Sequence, residues 1–586
     1  MTTLTRDRIL SVDLAAGTVQ RERVPETWRR RYLGGKGVGA RYLYDRLDAG
    51  TDPLGPGNLL AVMNGPLSGY LPGEPRYAVV TKSPLTGGFL DSYSGGEFAD
   101  RLAGALGDCL GVLVTGRAER PVRLVLEDGT GRLEPAESWG ADTVETAEQF
   151  PDAGVACIGP AGENGVAYAT VAADGGDHHA GRGGAGAVMG AKRLKAIVAS
   201  GEAPTPGPEL RDLRDRYERA YAGHGVGQWQ AAGGTVESVD FANEIGALAT
   251  AGWQESQFDG IDGIGIEAAD ETATGREAGA VPGDFQFETD DGEVVVRGGA
   301  PMTLGAGLGV DDIEDVARLA ESCDRLGLDV IGVGNAVAWT VRASEAGVVE
   351  YPLTFGDVDG AKGLVEAIAR RNGGADEGLI EALAAGVDAA SERFGGAAFV
   401  PTVKSMALPS YDPRGSPGMA LAYATSDRGA CHRRARPVEA DPDGSFSVEE
   451  TVRTVVGEQT VRSVLWSLIV DDFVGETMWE DLGQEWLGAI GRPYTPEELT
   501  RTGERIWTLI RLFNAREGFD RCDDTVPTKA LPGDGERTQP AAFERTLDAY
   551  YRARGWGPDG LPTRETVARL GLVGVVDEET PLGEPW

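Results

Sequence analysis

The chain has 586 residues, enough for two to four domains of ordinary size, and its apolar residues, 41% of the total, are spread along the whole length. That distribution excludes a disordered or fibrous polymer and predicts a globular protein with a large core. The formal net charge is −37, sustained from Asp48 to Glu584 against a basic set made almost wholly of Arg, with seven lysines; nucleic acid is an unsuitable partner on these grounds.

Self-repulsion of this size strains a compact state in dilute solution, whereas molar salt shortens the screening length to about 3 Å. The acidic, Lys-poor composition therefore predicts a salt-rich, halophile-like cytoplasm. The opening residues MTTLTRDRILSVDL lack a basic region followed by a long apolar run, and no uncharged apolar stretch has the length of a membrane span, so the expectation is a cytoplasmic protein, neither secreted nor membrane-spanning. Cys109, Cys157, Cys323, Cys431 and Cys522 stand singly with no CxxC. A disulfide framework is not expected, and each cysteine reads first as a small buried apolar residue.

From Ile9 to Ala199 the chain is rich in Gly and in short β-type runs (Tyr77 to Thr81, Leu110 to Thr115, Ala196 to Ala199), broken by turn signals at Pro53, Gly57, Gly73 and Gly159. This predicts a sheet-rich first domain, 1–204. The Pro-rich stretch Glu202 to Pro208 suits neither a helix nor a central strand and marks its boundary. Beyond it, Asp311 to Leu326, Gly363 to Arg371, Glu377 to Phe394 and Glu497 to Asn514 carry apolar residues at three- and four-residue spacing. Two mainly helical domains follow, 205–396 and 397–586, divided at Gly395 and Gly396. The predicted class is α+β.

Three glycine-dense segments stand out: Leu33 to Arg41, Pro75 to Gly96 and Ala180 to Lys192. Glycine lets the backbone approach a ligand and aim successive N–H groups at it, and arginine adds a fork for phosphate or carboxylate. The same glycines also suit tight corners in a sheet-rich domain, and none of the segments is a P-loop. In Asp324 to Val330 (DRLGLDV) two carboxylates flank a Gly-Leu turn and can face a ligand rich in N–H donors. The stretch reads equally as a helix end closed by Gly327.

Taken in order, GPLSGYLPGEPRYAVVTKSPLTGGF (Gly65 to Phe89), ACIGPAGENGVAYATV (Ala156 to Val171), AGRGGAGAVMGAKRLKAI (Ala180 to Ile197), CDRLGLD (Cys323 to Asp329), LPSYDPRGSPGMALAYATSDRGACH (Leu408 to His432), GERIWTLIRLFNAREGFDR (Gly503 to Arg521) and YYRARGW (Tyr550 to Trp556) resemble the aldehyde:ferredoxin oxidoreductase family over essentially the whole chain. That family has a sheet-rich cofactor base and two mainly helical domains, binds tungsten between two pterin dithiolenes, and oxidises aldehydes to carboxylic acids. The resemblance implies a tungsten or molybdenum bis-pterin. Arg76 and Arg182 would hold the pterin phosphates, Arg182 in a loop with Gly183 and Gly184. The backbone of Tyr93, Ser94 and Gly95 would help bind a bridging magnesium, and Asp324, Gly327, Leu328 and Asp329 would grip one pterin. The family's second pterin motif, DxxGLC, is matched by DFVGET (Asp472 to Thr477), which keeps Asp472 and Gly475 but has Glu476 and Thr477 for Leu and Cys.

That lost cysteine is the family's fourth [4Fe–4S] ligand, and the other three come from a CxxCxxxC run matched here by Arg276 to Glu288 (REAGAVPGDFQFE), which has none. A cubane needs thiolates, so no [4Fe–4S] cluster is expected. The family glutamate near the metal falls in Val296 to Leu304, which contains no acid. His432 of the RGACH motif is the candidate catalytic residue, donating a proton to a carbonyl oxygen or orienting water. His178 and His179 read as caps of the Arg182 loop. No E-x-x-H precedes Asp324, the pattern that supplies a subunit-bridging metal in some relatives, although the resemblance still admits a homodimer. Three readings follow: an aldehyde oxidoreductase whose electrons reach ferredoxin or another carrier without a bound cubane, a non-redox pterin-metal enzyme such as a hydratase, and a silent cofactor-binding paralogue.

Overall fold

Tyr77–Lys82 is apolar at consecutive positions, which a strand tolerates when both of its faces are covered. The computed structural model of the chain describes residues 5–279, 281–527 and 540–586 and covers that strand on both sides. Strands β1 (Arg8–Asp13), β2 (Thr18–Arg23), β3 (Leu60–Met63), β4 (Tyr77–Lys82), β5 (Phe89–Ser94) and β6 (Cys109–Thr115) form one sheet in the order β2-β1-β6-β3-β4-β5, with only β1 and β6 parallel. A second sheet joins β7 (Val122–Glu127), β8 (Thr130–Pro135), β9 (Gly154–Cys157), β10 (Val171–Ala173), β11 (His178–Ala180) and β12 (Leu194–Ser200) in the order β11-β10-β9-β12-β7-β8.

Because side chains alternate across a strand, Tyr77 and Val79 pack towards the second sheet with Val112, Leu124 and Ile197. Ala78 and Val80 face the other way, onto Val38, Ile506 and Ile510. Those last residues belong to helices α1 (Gly35–Arg46) and α6 (Pro496–Arg516), so one face of the first sheet is roofed partly by the C-terminal part of the chain. The other helices that shape the site are α2 (Ile313–Leu326), α3 (Val330–Glu345), α4 (Val448–Leu468) and α5 (Asp472–Asp481).

The expected sequence of a sheet-rich part followed by helical parts is observed. Residues 202–207 carry no regular element, and a helix begins at Pro208. One helical expectation needs correction: Glu377 to Phe394 is two helices, Glu377–Ala385 and Val387–Phe394, because Gly386 at φ 115° breaks the ladder. A small antiparallel sheet of β13 (Gly275–Arg276), β14 (Phe285–Glu288) and β15 (Glu293–Val296) precedes α2. Among the described residues, no helix is long and apolar enough to cross a membrane.

Candidate cofactor site

β11 runs into a loop in which Arg182, Gly183 and Gly184 have φ of 65°, 79° and 86°, a left-handed run that two glycines make accessible. A Cβ on Gly184 would collide with the Ala167 carbonyl, so the loop presses on its neighbours. The conformation turns Arg182 inward. Its Nη2 donates to Ala407 O at 2.5 Å and Ala430 O at 2.9 Å, and Nη1 stands 3.9 Å from Asp329 Oδ2. Nε and Nη1 are buried without a hydrogen-bond partner among the described residues.

Opposite this loop, α2 ends at Gly327, whose φ of 72° closes the helix, and Leu328 bridges to Ala169. Asp329 caps α3 by accepting from Gly332 N at 3.0 Å. Asp324 Oδ1 lies 3.1 Å from His179 Nε2, while His179 Nδ1 shares a 2.7 Å hydrogen bond with Thr170 Oγ1. The helix-end reading of DRLGLDV holds. Gly327 terminates a helix, and in doing so brings Asp324 and Asp329 to the Arg182 loop. His179 reaches across to Asp324; the expectation that it merely caps the loop is too modest.

On the other side of β5, Arg76 Nη2 lies 2.6 Å from Glu74 Oε2 and donates to Asp471 Oδ2 at 2.8 Å. Although burial opposes ionisation of Glu74, Arg76 and His178 hold its carboxyl well below the usual range. Asp471 also caps α5, accepting from Phe473 N at 3.1 Å and Val474 N at 3.2 Å. Asp472 accepts from Arg433 Nε at 3.0 Å and Trp466 Nε1 at 2.5 Å, and against burial Arg433 keeps it ionised far below the normal carboxylate range. Gly475 sits against Leu465 and Val470, where its small size serves packing of α5 on α4. Glu74 and Asp471 were not singled out from the sequence. Their signals were present: an acid two residues from Arg76, and a second Asp beside Asp472 at a helix start.

The end of β5 lies between these two sides. Ser92 Oγ donates to Gly181 O at 2.5 Å, Ser94 Oγ is buried without a partner among the described residues, and a side chain on Gly95 would collide with Glu74. Tyr93 donates to Asp91 Oδ2 at 2.6 Å and stacks on Trp466 with ring centroids 5.0 Å apart. Beneath the stack is a buried quartet: Lys36 Nζ is 2.9 Å from Asp91 and 2.5 Å from Asp427, and Arg434 pairs with both carboxylates. It unites α1, β5 and the residues on either side of the RGACH motif. No local pattern announces it, because its members are up to 398 positions apart in the chain (Lys36 to Arg434).

His432 is half-buried, with Nδ1 shut from solvent and lacking a partner among the described residues. Burial, then Arg433, Arg182 and further guanidinium groups, push its pKa well below the ordinary value, so the imidazole is neutral near neutral pH. It is not an imidazolium acid; a neutral ring instead offers one N–H and one lone pair for water or a carbonyl. Beside it, Cys431 is buried as expected of a single cysteine but is not inert. Burial opposes its ionisation, yet Arg428, Arg434 and Arg182 bring the thiol to about 7, and Arg428 Nη2 lies 3.1 Å from Sγ.

A cubane cluster does not fit. Four of the five cysteines are buried at separate places, Cys522 is exposed, and Thr477, at the family's fourth ligand position, turns its hydroxyl to Val474 O at 2.7 Å. Among the described residues no group of three or more His, Cys, Asp or Glu side chains is arranged to hold a metal ion.

Residues 9–201 match the family model for the N-terminal domain of aldehyde ferredoxin oxidoreductase, and residues 212–572 match the model for its domains 2 and 3. The tungsten-containing aldehyde ferredoxin oxidoreductase of Pyrococcus abyssi is 32% identical over 96% of this chain and 98% of its own length. An aliphatic sulfonate oxidoreductase subunit of Pyrococcus furiosus is 25% identical over 96% of each chain. Among solved structures, the active-site complex of benzoyl coenzyme A reductase with 1,5-dienoyl-CoA has the same fold, with a TM-score of 0.84, 23% identity and coverage of 99% of this chain and 98% of that one. Two family models covering most of the chain, and relatives matched nearly end to end, place this protein in the aldehyde ferredoxin oxidoreductase family of enzymes.

Proposed function

We propose that the chain is a tungsten- or molybdenum-bispterin oxidoreductase that converts aldehydes to carboxylic acids in a salt-rich cytoplasm. The observation that carries this reading is the buried Arg182 guanidinium, whose Nε and Nη1 lack partners among the described residues and lie beside the Asp324–Asp329 turn. Buried N–H groups of this kind are costly unless they meet an acceptor, and a pterin phosphate is such an acceptor. The crowded backbone at Gly95 and the buried Ser94 hydroxyl fit the same cradle. The residues present therefore suit a pterin that carries the metal, and the curated relatives at 30% to 32% identity are named as tungsten-containing.

When bound, the metal-dithiolene unit supplies two-electron oxidation. Arg182 and Arg76 would hold its phosphates, the Tyr93 to Gly95 backbone would help hold a magnesium ion, and Asp324, Asp329 and Asp472 would accept from pterin N–H groups. His432, neutral and half-buried, orients the water whose oxygen enters the product; an aldehyde plus water yields a carboxylic acid, two protons and two electrons. The electrons pass to a ferredoxin or another carrier without a cubane relay. Protein purified in molar salt should contain tungsten or molybdenum with pterin and reduce a dye when given aldehyde. Heavy metal absent from freshly purified protein sinks the reading. Loss of all the family's thiolates favours a second one, hydration with the metal as Lewis acid, which needs no electron exit; pterin and metal without aldehyde-dependent dye reduction select it.

A further inference from the structure

Glu277 lies near the start of the stretch that matches the family's cysteine run, and its side chain enters a chain of charged and polar groups. Its Oε1 lies 2.6 Å from Arg297 Nη2 and 3.5 Å from His178 Nε2. His178 Nε2 is in turn 2.9 Å from Glu74 Oε1, Glu74 Oε2 is 2.6 Å from Arg76 Nη2, and Arg76 reaches Asp471 at 2.8 Å. Asp471 heads α5, the helix that carries Thr477 at the position matching the fourth ligand. The stretch around Glu277 is closed on itself: Glu277 N donates to Asp284 O, Gly283 N to Glu277 O, each at 3.0 Å, and Asp284 N to Glu277 Oε2 at 3.1 Å. Val281, from the same loop, packs on the apolar cluster containing Val470 and Val474. The two stretches matching the four thiolate ligands thus border one apolar cluster, and a run of polar contacts through His178, Glu74 and Arg76 leads from one to the other.

We infer that the Arg297–Glu277–His178–Glu74–Arg76–Asp471 network takes the place of the iron–sulfur cluster in this chain and joins the two segments without metal. Basic and acidic side chains alternate along it, with the His178 ring between two carboxylates. An isolated exposed pair contributes little, but a connected network that ends on Asp471, only 5% exposed, holds its geometry better. The inference rests on the family match of residues 276–288 and 472–477 and is independent of whether aldehydes are oxidised.

The test uses full-length protein purified without oxygen in molar salt. Iron and acid-labile sulfide should be absent, and thermal unfolding should be indifferent to an iron chelator. Glu277→Gln and Arg297→Gln should each lower Tm, and the double variant should lower it by less than the two shifts summed, as coupled partners do. About four irons with sulfide per chain would overturn the inference. So would single-variant shifts that simply add. Should either variant fail to fold, the iron, sulfide and chelator measurements on the unaltered protein still decide.

Discussion

The Arg182 and Arg76 sides of the cradle differ in how their guanidinium groups are satisfied. Arg182 keeps two buried nitrogens without partners among the described residues and stands 3.9 Å from the nearest paired carboxylate. Arg76 is already neutralised by Glu74 and Asp471, as Asp472 is by Arg433. One side is therefore poised to receive an anion, whereas on the other a phosphate must displace a carboxylate. The same arginine chemistry has opposite readiness because of the acids folded beside it.

The largest effect is expected where the two sides are tied together. Arg434→Met leaves Asp91 and Asp427 sharing Lys36 alone, and denaturant unfolding in molar salt should show a loss of about 3–5 kcal/mol. A negligible change would mean that the quartet does not hold Tyr93 and Trp466 in place. Next, Arg182→Met should cut pterin retention after dialysis roughly ten- to hundredfold, from the loss of charge-assisted hydrogen bonds, and Arg76→Met should do so less. The reverse ranking would break the comparison outright.

Asp174 sharpens it on the Arg76 side. Burial raises this carboxyl to about 6 even though His178 opposes the shift, so the folded state binds a proton that the unfolded chain, at the ordinary value of 3.8, has released. Stability should fall as pH rises from about 4 through 6, by roughly 2 kcal/mol, and Asp174→Asn should flatten that slope; an unchanged slope in a pH series of unfolding curves counts against the shift. The smallest effect belongs to Cys431. Its folded value of about 7 lies below the ordinary 9.0, so its contribution to stability is absent below the folded value and grows to full strength as pH rises past the unfolded one. Thiolate ultraviolet absorbance should rise with a midpoint of about 7 and vanish in Cys431→Ser.

Much of the cradle was legible in the sequence because it is built from local geometry. DRLGLDV encodes a helix stop, a left-handed glycine and a new cap within seven residues, so Asp324 and Asp329 could be recognised before any fold was known. The Arg182 loop was legible for the same reason. Gly475 packs between helices, and Glu74, Asp471 and the Lys36 quartet were missed. Pairing across hundreds of residues leaves no local trace, since nothing in a neighbouring side chain records which distant charge will answer it.

By itself, the chain's composition set a strongly acidic protein, and its motif order set the succession of a sheet-rich part and helical parts. The absence of thiols from residues 276–288 and 472–477 likewise took away the thiolates that the family's cluster needs at those positions. Only the tertiary structure decided which charges are buried together. Folding puts Arg434 between two acids while leaving Arg182 with donors to spare, and it holds Cys431 among three guanidinium groups. Burial magnifies every such choice, because in a low-dielectric interior the nearest partner fixes a group's charge.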